Sequence, residues 1–234
     1  NAEWKNPSPG NFLIKLVANV RNTNSLVTVK NKPQFPLHPG FDEFLEPTEK
    51  IDVNDKIRKK ALELASEEDD SYAIAFKIAD WVEKQIRYDV TKETRDVVQP
   101  SSWVFDHREG VCDEITNLFI SMMRSLGIPT KYITGMAYTN IRGAWGPHAW
   151  AEVYLGKDED GKAIWVPFDV TYGQFGWIDP THIKLKESED SGEASLTYKW
   201  VARGAKFEAE KTELSVNPEK VGECIESPAS LTLR

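Results

Sequence analysis

The chain has 234 residues, with 37 Asp and Glu against 29 Lys and Arg, for a net charge of −8. A chain of that length buries roughly 70–75% of its unfolded surface, enough for one sizeable core, and 11% aromatic content with eight Trp excludes intrinsic disorder. The acidic field disfavours nucleic acid and anionic membrane as partners, and no apolar run approaches the ~18 residues that cross a bilayer, so no direct membrane insertion is expected of this segment.

Residues 12–20 and 25–30 flank Arg-Asn-Thr-Asn and predict a β-hairpin, followed by a proline-rich passage from Pro33 to Pro47. Asp52 or Asn54 can cap a helix running to about Ser66, and the acidic run that follows reads as a solvated loop and the next N-cap. A second helix is expected over about Ser71 to Arg87, because Ile74, Ile78, Trp81, Val82 and Ile86 recur on one face. Pro100-Ser-Ser can open a short helix ending by Gly110. The clearest helix spans about Cys112 to Leu126, with Ile115, Leu118, Phe119, Met122, Met123 and Leu126 in one stripe; Gly127 ends it and Pro129 prevents its continuation.

Three strand-like runs follow at 130–138, 148–155 and 163–170, and further strands are expected over 177–185 and 195–215. The loop between the second and third runs contains Asp158-x-Asp160-Gly161. It lacks the first Asp and the distal Glu of a calcium loop, so a plain hairpin turn is preferred. Helices first and an antiparallel sheet after make the fold class α+β. Three parts are expected: a lead-in over 3–50, a core over 51–190 and a C-terminal β extension over 191–234. The opening without Met and the abrupt β-like end read as a piece of a longer protein, with a lean to an extracytoplasmic or cell-surface setting.

No cofactor or metal is expected. No Cys-x-x-Cys exists, and His38, His107, His148 and His182 lack metal-site spacing. The candidate chemistry begins at Cys112, in the first turn of an amphipathic helix, where free N–H groups and the helix dipole should lower the thiol pKa, partly offset by Asp113 and Glu114. His148 and Asp169 lie on successive strands. A four-residue loop, Lys157 to Asp160, with Gly156 opposite Gly161, sets them directly across from each other on one face, with Cβ atoms about 4.5–5.5 Å apart. In isolation His148 could be a satisfied strand-end histidine and Asp169 a turn acceptor. Together with a helix-start Cys they read better as base and orienter of a nucleophile. His38, His107 and His182 have no partner that the sequence names.

Gly110-Val-Cys112, Leu118-Phe119 and Met123-Arg124-Ser-Leu-Gly-Ile-Pro-Thr-Lys, then His148-Ala-Trp150-Ala-Glu152-Val-Tyr, then Trp165-Val-Pro-Phe-Asp169-Val-Thr, resemble in order and spacing the core of the transglutaminase-like superfamily. The resemblance covers about Trp81 to Leu185, and the flanks Phe44-Leu-Glu-Pro-Thr48, Tyr172-Gly-Gln174 and Thr181-His-Ile183 fit more loosely. It implies a papain-like fold, a helix bearing Cys packed on an antiparallel sheet bearing His and Asp. It also implies Cys112 as nucleophile, His148 as general base and Asp169 as its orienter.

The Cys112 N–H is a candidate oxyanion donor. By the same resemblance the second donor is an aromatic upstream of the nucleophile, Tyr88 first and Trp103 as runner-up. The activity implied is thiol-dependent acyl transfer on protein or peptide amides through a Cys112 thioester. Hydrolysis is favoured over crosslinking, because the sequence shows no counterpart of the accessory domains of animal transglutaminases and water needs no dedicated second-substrate site; calcium activation is not carried over. The alternatives are a non-catalytic binding or scaffold module of a larger surface protein, or a redox pair of Cys112 and Cys224. Oligomeric state is not readable.

Overall fold

The computed structural model describes residues 40–89, 97–139 and 143–192, together with residues 10, 17, 19–22, 27, 29, 32–35, 215 and 216. The expected hairpin over 12–30, the strands over 195–215 and Cys224 lie, wholly or for the most part, outside them. Among the described residues, four α-helices precede the main sheet: α1 (Asp55–Leu64), α2 (Ser71–Gln85), α3 (Ser101–His107) and α4 (Cys112–Ser125). Between them, β1 (Arg87–Tyr88) pairs in parallel with β2 (Glu109–Gly110). Strands β3 (Thr130–Thr139), β4 (Ala144–Lys157), β5 (Ala163–Asp169), β6 (Gln174–Phe175) and β7 (His182–Ser188) form one antiparallel sheet in the order β6-β5-β4-β3-β7. The α+β architecture follows from this order.

The helix starts are set by short polar side chains. Asn54 accepts the Ile57 N–H at 2.9 Å, and Asp70 accepts that of Tyr72 at 2.9 Å, so the last residue of the acidic run is a cap. Asp52 serves elsewhere: its carboxylate takes the Ser102 N–H at the start of α3, and its carbonyl takes the Ser121 hydroxyl. Gly127, at φ +76°, reverses the chain after α4.

Helix α4 lies between the sheet and α1, α2 and α3. Its stripe Leu118, Phe119, Met122 and Met123 is fully buried, and Phe119 stacks on Phe168 of β5 at 5.6 Å. Every residue from Glu114 to Arg124 is buried, more than one apolar stripe requires. The polar face is accommodated by hydrogen bonds. Thr116 donates to the Ala149 carbonyl, Asn117 to Ser191, and Arg124 to the carbonyls of Glu46, Thr130 and Glu189.

The β4–β5 register differs from expectation by two residues. The turn is five residues, Asp158 to Lys162, closed by Asp158 N–H to the Lys162 carbonyl at 2.8 Å, and the Asp158 carboxylate accepts the N–H groups of Asp160 and Lys162. A further irregularity lies between Tyr154 and Lys157, so the ladder runs Ala151↔Phe168 to Tyr154↔Trp165. Continued one step, it sets Asp169 opposite Trp150, and His148 becomes its diagonal neighbour rather than its direct one. The shift is even, so both side chains stay on one face. The last strand also begins later than 177, at His182, because residues around Asp179 form a side-chain-braced turn.

Candidate active site

Cys112 is the first residue of α4. Glu114 fixes this start: its carboxylate reaches back to the Val111 N–H at 3.0 Å and takes the Gln99 N–H at 3.2 Å. The Ala149 backbone N–H of β4 acts on the Cys112 thiol in favour of its anionic form. The Cys112 sulfur lies 3.7 Å from Asp113 Oδ1, which is itself held by the Tyr132 hydroxyl at 2.8 Å. The helix that Cys112 opens is tied to β4 at the residue next to His148, through Thr116 and the Ala149 carbonyl.

The thiol departs from expectation. Burial pushes the Cys112 thiol well above its ordinary value, and Asp113 adds to this, with smaller like-signed effects from Asp169 and Glu114; the Ala149 N–H opposes them. The helix N-terminus is outweighed because desolvation and the like charges of Asp113, Asp169 and Glu114 all disfavour the thiolate.

His148 is buried in β4, opposite Gly135 of β3. Its Nε2 meets Asp169 Oδ2 at 2.6 Å, which assigns the ring proton to Nε2 and leaves Nδ1 as the second nitrogen. Tyr172 stacks on the ring at 4.4 Å and 22°. Asp169, fully buried, also accepts the Tyr172 N–H on Oδ1 at 3.0 Å and His182 Nε2 on Oδ2 at 2.9 Å. It is thus both the turn acceptor and the histidine partner that the sequence offered as alternatives. Burial alone would raise its pKa, but the hydrogen bonds and charges of His148 and His182 outweigh that and hold it at about 2.

His182 and Asp179 were not legible as part of this cluster. His182 Nδ1 faces Asp179 Oδ1 at 3.1 Å and the Asp179 carbonyl at 3.3 Å. Burial pulls the His182 pKa down, yet its hydrogen bonds and charge pairing with Asp169 and Asp179 raise it overall. The only trace in sequence is the Thr181-His-Ile183 flank, which carries no periodic signal. His148, Asp169 and His182 bring ligand-type atoms within 4.8 Å of one another. The separations of 2.6 and 2.9 Å are hydrogen-bond lengths; two ligands on a tetrahedral zinc, each ~2.0–2.2 Å from it, sit farther apart.

Tyr88 pairs with Gly110, two residues before Cys112. Tyr88 is 55% exposed. Trp103 stacks on His107 at 4.1 Å and packs against the hydrophobic core.

Residues 58–170 match the family model of the transglutaminase-like superfamily. This stretch is a transglutaminase-like core. The superfamily match and its neighbours describe a family of thiol-dependent enzymes. A solved structure of a proposed cysteine protease from Cytophaga hutchinsonii superposes with a TM-score of 0.57 at 25% identity, covering 70% of this chain and 53% of that one. The uncharacterized protein YebA of Bacillus subtilis is 22% identical over 202 residues, 78% of this chain and 26% of its own length. An uncharacterized Mycobacterium leprae protein is 25% identical over 122 residues, 50% of this chain and 43% of its own length. The chain thus spans less than half of either curated relative. Among the described residues, no helix is long and apolar enough to cross a membrane.

Proposed function

We propose that the transglutaminase-like core carries out thiol-dependent acyl transfer on protein or peptide amides, with hydrolysis as its outcome. Cys112 is the nucleophile, His148 the general base and acid, and Asp169 its orienter. The observation that carries this reading is the pairing of His148 Nε2 with Asp169 at 2.6 Å, on the strand whose next residue, Ala149, is bonded by Thr116 of the helix that Cys112 opens. That pairing leaves Nδ1 to accept the thiol proton as sulfur attacks the carbonyl carbon. The Cys112 N–H and the Tyr88 phenol hold the oxyanion. His148 then returns the proton to the departing amine as the thioester forms, and water, deprotonated by His148, releases the acid.

Hydrolysis is preferred over crosslinking because water needs no second-substrate site, and the Cytophaga neighbour described as a proposed cysteine protease favours the same choice. The test is a peptide-library digest analysed by mass spectrometry, with Cys112→Ala and His148→Ala as controls. New termini or deamidated glutamine that vanish in both variants support hydrolysis. Crosslinked dimers would replace it with transamidation. Turnover unaffected by either variant would remove Cys112 and His148 from the chemistry, and turnover absent while partner binding persists in all forms would favour a binding module.

A further inference from the structure

We propose that His182 is a positioning residue of this site, held as an imidazolium between Asp169 and Asp179, so that the carboxylate behind His148 is shared and charge-balanced. The proposal rests on the Cys112–His148–Asp169 reading and adds a second, buried ion pair to it.

Both ring nitrogens of His182 face only acceptors. Nε2 lies 2.9 Å from Asp169 Oδ2, and Nδ1 lies 3.1 Å from Asp179 Oδ1 and 3.3 Å from the Asp179 carbonyl. A neutral imidazole would turn a lone pair toward a carboxylate or carbonyl oxygen at one of these positions; only the doubly protonated ring satisfies both. Asp179 is anchored in this role. Its Oδ2 takes Gln174 Nε2 at 2.8 Å, its Oδ1 takes the Thr181 N–H at 2.8 Å and the Thr181 hydroxyl, and its own N–H donates to Gln174 Oε1. The His182 side chain is fully buried, so no solvent competes for either nitrogen.

Among the described residues, the titratable groups facing this ring come from several elements. They are Asp169 at the end of β5, Asp179 in the turn before β7, His148 of β4 with ring centroids 5.7 Å apart, and Tyr172 edge-on at 5.6 Å. Trp150 packs edge-on at 5.3 Å. The two carboxylates are the only anionic groups in this set at neutral pH, and their charge favours the cation.

A lone buried carboxylate behind an imidazole draws a thiol proton onto the ring before substrate arrives. A carboxylate already paired with a second imidazolium exerts less of that pull. His182 therefore biases Cys112 toward a protonated resting state, in which the proton moves during attack. It also holds the Asp169 rotamer, through the same Oδ2 that His148 meets.

Ring 15N chemical shifts of histidine-labelled protein, assigned with single His→Gln variants, read the charge directly. His182 is expected to show both nitrogens protonated at pH 7.5, and Asp179→Asn is expected to lower its titration midpoint. A neutral His182 ring at pH 7.5 would overturn the proposal. The second readout is the rate of Cys112 alkylation by iodoacetamide at pH 7, with Cys224 as reference in the same molecule. His182→Gln, which keeps one donor but no charge, is expected to speed it several-fold; an unchanged or slower rate in a folded variant counts against the proposal. If His182→Gln does not fold, Asp179→Asn at pH 8 carries the same test in the same direction. His148→Ala separates the two levels. A Cys112 rate indifferent to His148 removes the triad and this proposal with it, whereas His148 dependence with a neutral His182 removes this proposal alone.

Discussion

The carboxylate of Asp113 lies 3.7 Å from the sulfur of Cys112, held there by the buried Tyr132 hydroxyl. A negative charge so close opposes a second one on sulfur, and it is the largest cause after burial of the raised thiol pKa. Asp113→Asn keeps the acceptor for Tyr132 and removes the charge, so the thiol pKa should fall. Alkylation of Cys112 at pH 7–7.5 is then expected to rise several-fold, while that of Cys224 stays constant. A rate that does not rise would show that the Asp113 charge does not set the thiol.

Gly135 stands opposite His148 in the β3–β4 ladder, at a bulge in the β3–β7 pairing. A Cβ there would meet the Ile183 carbonyl at 2.2 Å and the Trp150 ring at 2.6 Å. Gly135→Ala must push β7 or Trp150 aside, at an expected cost of about 1–3 kcal/mol. Because Trp150 packs on both His148 and His182, the variant should also disturb the site. Chemical denaturation should report lower stability, and near-ultraviolet circular dichroism a displaced tryptophan. A variant as stable as the parent would mean that the sheet yields more readily than its backbone contacts suggest.

Glu114 ties the start of α4 to the segment before α3 through the Val111 and Gln99 N–H groups, with its side chain buried. Glu114→Ala leaves those donors without their acceptor and should cost about 1–3 kcal/mol. Glu114→Gln keeps one acceptor oxygen and should cost less. Urea midpoints of the two variants measure the difference, and equal losses would point to charge rather than acceptor geometry as the stabilising element.

Stability should depend on pH through Asp169 and His182 with opposite signs. Asp169 is held at about 2 against 3.8, so its contribution, on the order of 2 kcal/mol, is present above pH 4 and lost as pH falls toward 2. His182 is raised above 6.5, so its contribution is complete below pH 6.5 and lost as pH rises through the raised value. Denaturation of the parent and of Asp179→Asn across pH 6 to 9 should show an alkaline decline in the parent that begins at lower pH in the variant. Coincident profiles would remove the His182 contribution.

Much of this molecule is written in local pattern. The 3.6-residue stripe from Ile115 to Met123, the Gly127 stop and the alternation after His148 place a cysteine at a helix start. The same patterns put a histidine and an aspartate on one face of neighbouring strands. Those features depend on a few consecutive residues, so the amino-acid order alone determines them. The β4–β5 register did not follow, because a five-residue turn and an irregularity near Tyr154 combined into an even shift that no local pattern marks. The thiol's direction was misjudged for a related reason: the helix end is local, but burial against β4 and the Asp113 charge are products of packing. His182 lies 34 positions after His148 and joins it only because β7 returns along β3. Long-range return of the chain decides which carboxylates and imidazoles share a buried volume, and that sharing sets their charges.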